Sequence, residues 1–153
     1  MATEIENFIG VYRVINELAP AVGDGRWQVF ESFFTQDAAM HHPFLGELKG
    51  AKNIAAAMGG SVGDRISSHY LAGNIRIDPS SGDTAHAVWD FSIAILSPDK
   101  GKDPLLLTSG SRFTADFRHL EGRWLIADLT PVELWADPNM KRFVAARTAQ
   151  SKG

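Results

Sequence analysis

Two periodicities divide the chain. Through the first 60 or so residues the apolar positions recur every three or four, and from Ile66 onward they alternate. Thr3 and Glu6 make a capping box. Ile5, Phe8, Ile9, Tyr12 and Ile15 follow at helical spacing, which predicts an amphipathic helix from Glu4 to Ala19 with Pro20 as its stop. Beyond the Gly23-Asp24-Gly25 break, Trp27, Phe30, Phe33 and Phe34 predict a second helix, Trp27 to Phe34, capped by Asp24. Ala38 to His42 reads as a short strand, Pro43 to Gly50 as a loop or hairpin, and Ala51 to Met58 as a helix ended by Gly59-Gly60. Four long antiparallel strands follow, separated by turn signals at Asp78 to Asp83, Ser97 to Pro104 and His119 to Gly122. Asp137-Pro138 starts a last helix, Asn139 to Val144, and the polar tail from residue 145 to 153 is expected to fray.

Helices first and long antiparallel strands afterwards define an α+β domain. The expected architecture is a cone-shaped, curved antiparallel sheet with the N-terminal helices packed over its concave face, formed by residues 1–153 as one domain. Such a cone encloses an apolar cavity of the kind small molecules use. In the stretch Ile66 to Ile77, strict alternation puts Ser67, His69, Leu71, Gly73, Ile75 and Ile77 on one face, so His69 is expected to point inward, where an imidazole must find a partner or do a job. By the same parity Leu45, Leu71, Phe91, Phe113, Leu129 and Pro131 are expected to line the cavity with no charged residue among them, and His69 forms its polar end. Tyr12, on the apolar stripe of the first helix, reads as a core tyrosine with a bonded hydroxyl or as one whose hydroxyl reaches a ligand.

Composition narrows the choice of partner. The chain has 153 residues, is 44% hydrophobic, carries a formal net charge of -3 and has no cysteine. Its basic residues form no stripe, so nucleic acid is not expected as a partner, and thiolate chemistry and cysteine zinc sites are excluded. The first residues lack the pattern of a secretory signal, and no apolar run is long enough to span a membrane, so a cytoplasmic protein is expected. No phosphate loop, dinucleotide fingerprint, nucleophile elbow or zinc-protease motif occurs. His41 and His42 are adjacent in a strand, so only one of them can face inward; a zinc site would need three histidines converging from different strands, which no local spacing supports, and no metal is expected. Asp90 reads as half of a surface ion pair. Exposed sheet faces bearing Val88 and Trp124 point to a homo-oligomer, dimer or trimer.

The runs from Ser67 to Ile95 and from Gly110 to Trp135 resemble the polyketide-cyclase-like (SnoaL-like) branch of the nuclear transport factor two-like superfamily, and within it the scytalone dehydratases. His69-Tyr70-Leu71-Ala72-Gly73, the Glu121-Gly122-Arg123-Trp124 turn and Leu129-Thr130-Pro131 before Trp135 carry the resemblance. It implies the cone fold, a cofactor-free site, and His69 as general base and acid. His42 falls where the family has a carbonyl-polarising tyrosine, and Asp24, shifted by one residue, is the group left to orient His69. The implied function is a cofactor-independent lyase (dehydratase) or isomerase acting on a small apolar cyclic ketone or hydroxyketone. The alternative is a non-catalytic small-molecule-binding or assembly domain. The family's second histidine has no counterpart near Ala94-Ile95, and its pocket asparagine falls on Phe113.

Overall fold

The computed structural model describes residues 3–78 and 82–150. Helix α1 spans Glu4–Gly23, opened by the Thr3/Glu6 capping box. It passes through Pro20 for one more turn because that turn buries Ala21 and Val22 against the core, which offsets the hydrogen bond proline cannot make. Its buried face is Val11, Ile15, Leu18 and Val22, a stripe that runs the length of the helix where it crosses the sheet. The competing stripe of Ile5, Phe8, Ile9 and Tyr12 faces out, with Phe8 and Tyr12 stacked at 6.0 Å. Gly10 allows the close approach of α1 to the sheet: a Cβ there would lie 2.4 Å from the Trp124 indole. Trp124 is therefore buried and offers no surface for association.

Helix α2 is only Trp27–Glu31, since Phe33 and Phe34 turn into strand β1, Phe34–His42. A tight hairpin connects β1 to β2, Gly46–Lys49. Helix α3, Ala51–Ser61, runs through Gly59-Gly60 before ending. Strands β3 (Ser67–Asp78), β4 (Thr84–Ser97), β5 (Leu105–Leu120) and β6 (Arg123–Ala136) form an antiparallel meander, and β1 joins β6 in a parallel ladder. Sheet order is β2-β1-β6-β5-β4-β3. The turn expected at Asp78 to Asp83 lies partly outside the described residues. Helix α4, Pro138–Gln150, continues six residues beyond the expected stop at Val144 and covers part of the tail expected to fray. Asp137 accepts from the backbone N–H groups of Asn139 and Met140 at 2.7 and 2.9 Å, and from the Thr108 hydroxyl at 2.7 Å, which both caps α4 and ties it to β5.

Bulges decide which side chains face the concave side. In β3 the register slips between Gly73 and Arg76, where Asn74 adopts a left-handed φ of 49° and donates to Asp90 at 2.9 Å. Asp90 in turn accepts from Arg112 at 2.8 Å, the surface ion pair its position suggested. In β6 the register slips where Asp116 pairs with Asp128 but Phe117 pairs with Ile126, so Ala127 is the extra residue and both Ile126 and Leu129 are buried. Inside the sheet Trp89 is fully buried, stacked on Phe113 at 5.6 Å, with Phe91 edge-on to Phe113 at 4.7 Å.

Candidate active site

A cavity of about 590 Å³ opens between the inner face of the sheet, the C-terminal part of α1, and helices α2, α3 and α4. Of the residues expected at it, Leu45, Phe91, Phe113, Leu129, Pro131 and His42 line it. The other four do not. His69 is exposed on the outer face and pairs with Ala94. Leu71, 56% exposed, pairs with Ser92, which pairs with Gly110, which pairs with Trp135, a row across the outer face. The physical reason is the bulge at Asn74. Ile75 and Ile77 do turn inward as alternation requires, but one extra residue flips everything before it, so Ser68, Tyr70 and Ala72 take the inward side. Tyr12 is 44% exposed on the outward stripe of α1. Asp24 sits at the exposed end of α1 with Arg26 at 3.5 Å, beside neither the cavity nor an imidazole among the described residues.

His42 is the last residue of β1, and the chain turns sharply after it. Its Nδ1 accepts the backbone N–H groups of Phe44 at 3.2 Å and Leu45 at 3.1 Å. Two donors aimed at one nitrogen require a lone pair there, so the ring is neutral and the proton resides on Nε2. Burial pushes its pKa down to about 4, in keeping with that tautomer. Nε2–H has no protein partner among the described residues. The arrangement is a fixed, uncharged hydrogen-bond donor in an apolar cavity, and it cannot act as a base through Nδ1.

Several lining residues escaped sequence reading. Tyr70, reversed by the bulge, lines the cavity with its pKa raised by burial, while Ser68 beside it donates to the Gly23 carbonyl at 2.7 Å and ties β3 to the end of α1. Ser109, Ser111 and Glu133 also line it, and so do Phe143 and Arg147 of α4. Charged side chains thus do reach the cavity, contrary to the parity expectation. Extending the alternation of Leu129 and Pro131 by one step finds Glu133, and the helical spacing of Met140, Phe143, Val144 and Arg147 was a usable signal for α4. Arg147 donates to the carbonyls of Gly60 at 3.2 Å and Ser61 at 3.4 Å, which holds α4 against the end of α3. Among the described residues, no three His, Asp or Glu side chains are grouped to hold a metal.

The chain belongs to the SnoaL-like domain family, whose model matches residues 4–130. Solved structures share the fold. A hexachlorocyclohexane dehydrochlorinase (LinA) type 2 is 14% identical with a TM-score of 0.72, over 85% of this chain and 86% of that one. A candidate scytalone dehydratase from Novosphingobium aromaticivorans is 11% identical with a TM-score of 0.74, over 85% of each chain. A candidate dehydratase of the nuclear transport factor 2-like family from Streptomyces avermitilis is 15% identical with a TM-score of 0.74, over 86% of this chain and 99% of that one. No curated protein matches the chain. Among the described residues no helix is long and apolar enough to cross a membrane.

Proposed function

We propose that the chain is a cofactor-independent lyase or isomerase that binds a small apolar cyclic ketone or hydroxyketone and polarises its carbonyl through His42. One observation carries this: His42 is held neutral by two backbone donors on Nδ1, and its Nε2–H is left to a ligand in a mostly apolar cavity. A donor already oriented and desolvated stabilises the negative charge that grows on a carbonyl oxygen as an adjacent proton passes to a base, and Glu133 and Asp64 are the carboxylate residues at the cavity to take it. Neighbours bearing dehydrochlorinase and dehydratase names fit elimination or isomerisation of this kind.

The test is hydrogen–deuterium exchange next to the carbonyl of 1-tetralone or 2-tetralone, followed by NMR in heavy water above the uncatalysed rate. His42→Asn keeps an acceptor for the Phe44 and Leu45 amides but lacks Nε2–H. It is expected to lower the exchange rate about tenfold to 100-fold. Equal rates in the two proteins would sink the assignment.

The second reading is a non-catalytic small-molecule-binding domain. It is favoured by the position of His69 and Asp24 outside the cavity, which leaves no imidazole hydrogen-bonded to a carboxylate at the site among the described residues. Saturable tetralone binding with no exchange above background would establish it. Homo-oligomerisation belongs to the same proposal, now on Leu71, Val132 and Trp135 of the outer face, each about half exposed, and sedimentation velocity would measure it.

A further inference from the structure

Arg147 is a half-buried cation where the cavity meets the ends of α3 and α4, and among the described residues it has no counter-ion. Its Nη1 donates to the Gly60 and Ser61 carbonyls in the last turn of α3, where the helix dipole favours positive charge. The guanidinium carbon lies over the Phe143 ring, 5.0 Å from its centroid. Gly63 makes room for the head group, since a Cβ there would lie 2.2 Å from Nη2. These contacts fix the guanidinium before any ligand arrives, and their hydrogen bonds use Nη1 alone. Nε–H and Nη2–H have no hydrogen-bond partner among the described residues. That edge is the fork that takes a carboxylate through two parallel hydrogen bonds.

The two acidic residues at the cavity do not supply this partner. Glu133 stands on the other flank of α4, where it joins Lys141, Val144 and Thr148 in lining a groove that neither Phe143 nor Arg147 reaches. Asp64 follows Gly63 in the chain, yet it is exposed and makes no ion pair with Arg147. Its pull on the guanidinium passes through water, which screens it. A neutral carbonyl would satisfy the free donors and leave the charge unmatched, and an ammonium group would be repelled by Arg147. A carboxylate satisfies donors and charge together. The cavity, about 590 Å³, is several times the volume of a bicyclic ketone, so a ketone at His42 leaves space for a further group.

We infer that Arg147 is an anion anchor, so that the ligand is a cyclic ketone bearing a carboxylate, with the carboxylate on the free edge of the guanidinium. The ketone half of this inference rests on the His42 reading above, and the carboxylate half rests on Arg147 alone.

The experiment is isothermal titration calorimetry, at neutral pH, of the ring-carboxylated isomers of 1-tetralone and their methyl esters against the wild type, Arg147→Gln, Lys141→Gln and Asp64→Asn. The quantity read is the ratio of acid to ester affinity, because a merely structural change moves both ligands together and leaves the ratio alone. In the wild type at least one acid is expected to bind about tenfold more tightly than its ester, an advantage that Arg147→Gln erases. Lys141→Gln removes the same charge on the other flank of α4 and should keep the ratio. Asp64→Asn removes the competing carboxylate without touching the bonds from Arg147 to α3. It should raise the ratio about twofold to threefold, and it remains informative if Arg147→Gln loosens α4. No acid outbinding its ester, a ratio that survives Arg147→Gln, or an equal fall in Lys141→Gln overturns the anchor and leaves the His42 reading intact. A ratio that does not rise in Asp64→Asn overturns the placement of the carboxylate beside Gly63. An aminomethyl analogue that outbinds every acid overturns the sign of the group. Acids that bind as tightly without their ring ketone overturn the His42 reading and leave the anchor standing.

Discussion

His41 and His42 are neighbours in one strand and live in opposite worlds. His41 faces out, its Nδ1 bonded to Glu47 and its Nε2 to Asp128 at 3.0 Å, and these carboxylates, Asp128 first, raise its pKa. His42 faces in, with two backbone amides on Nδ1 and burial lowering its pKa to about 4. The same residue type becomes a cation held by acids on one face and a neutral donor on the other. What separates them is which face of a two-residue period each occupies, and whether water or apolar packing meets it there.

The sharpest way to break the contrast between the two faces is by truncation. Trp89→Ala on the inner face empties the centre of an aromatic cluster and is expected to cost about 3–5 kcal/mol in urea unfolding. Leu71→Ala on the outer face of the monomer should stay within about 0.5 kcal/mol. Comparable losses from the two would mean that β3 keeps strict alternation and that Leu71 is core after all.

Catalysis sharpens the comparison next. His42→Asn should lower ketone exchange about tenfold to 100-fold, equivalent to roughly 1.4–2.7 kcal/mol, whereas His69→Gln should leave exchange and melting temperature near those of the wild type. If His69→Gln proves the more damaging variant in the exchange assay, the site lies on the other face.

A smaller effect, with opposite sign at the two histidines, should appear in the pH dependence of stability. Between the ordinary value of 6.5 and about 4, the unfolded chain binds a proton at His42 that the folded chain refuses, so this group removes stability as the pH falls through that window. His41 holds its proton more tightly when folded. Its contribution is present in full below 6.5 and is lost as the pH rises through the raised folded value. Thermal melts across pH 4 to 8 should therefore show His42→Asn losing less stability than wild type on acidification. His41→Ala should show the smallest change of all, a flatter decline on the alkaline side, because an exposed pair is screened by solvent.

Legibility followed the range of the forces involved. The capping box of α1, the period switch near Ile66 and the turn at Glu121-Gly122 each act over a few residues, and all are visible in the chain. The inward placement of Phe91 and Phe113 also followed from alternation, and so did that of Leu129 and Pro131, which share one parity beyond the Ala127 bulge. Alternation failed at His69 and Leu71, where one extra residue at Asn74 reverses every position before it. The failure at Tyr12 was different in kind. Helix α1 carries two apolar stripes, and the sheet beneath it, which no local pattern describes, selects the one through Val11, Ile15, Leu18 and Val22.

Sequence alone determined the order and type of the elements, the α+β class and the apolar lining of the sheet's inner face, since these depend on periodicity and on turn chemistry within a few residues. Tertiary structure alone decided which histidine meets the cavity. A left-handed Asn74 held by Asp90 and Arg112 sets the phase of β3, and the turn amides of Phe44 and Leu45 set the proton on His42. Ser109, Glu133 and Arg147 come together only when β5, β6 and α4 close over one space. A side chain's face and its protonation depend on groups brought near by folding, and separation along the chain does not encode that distance.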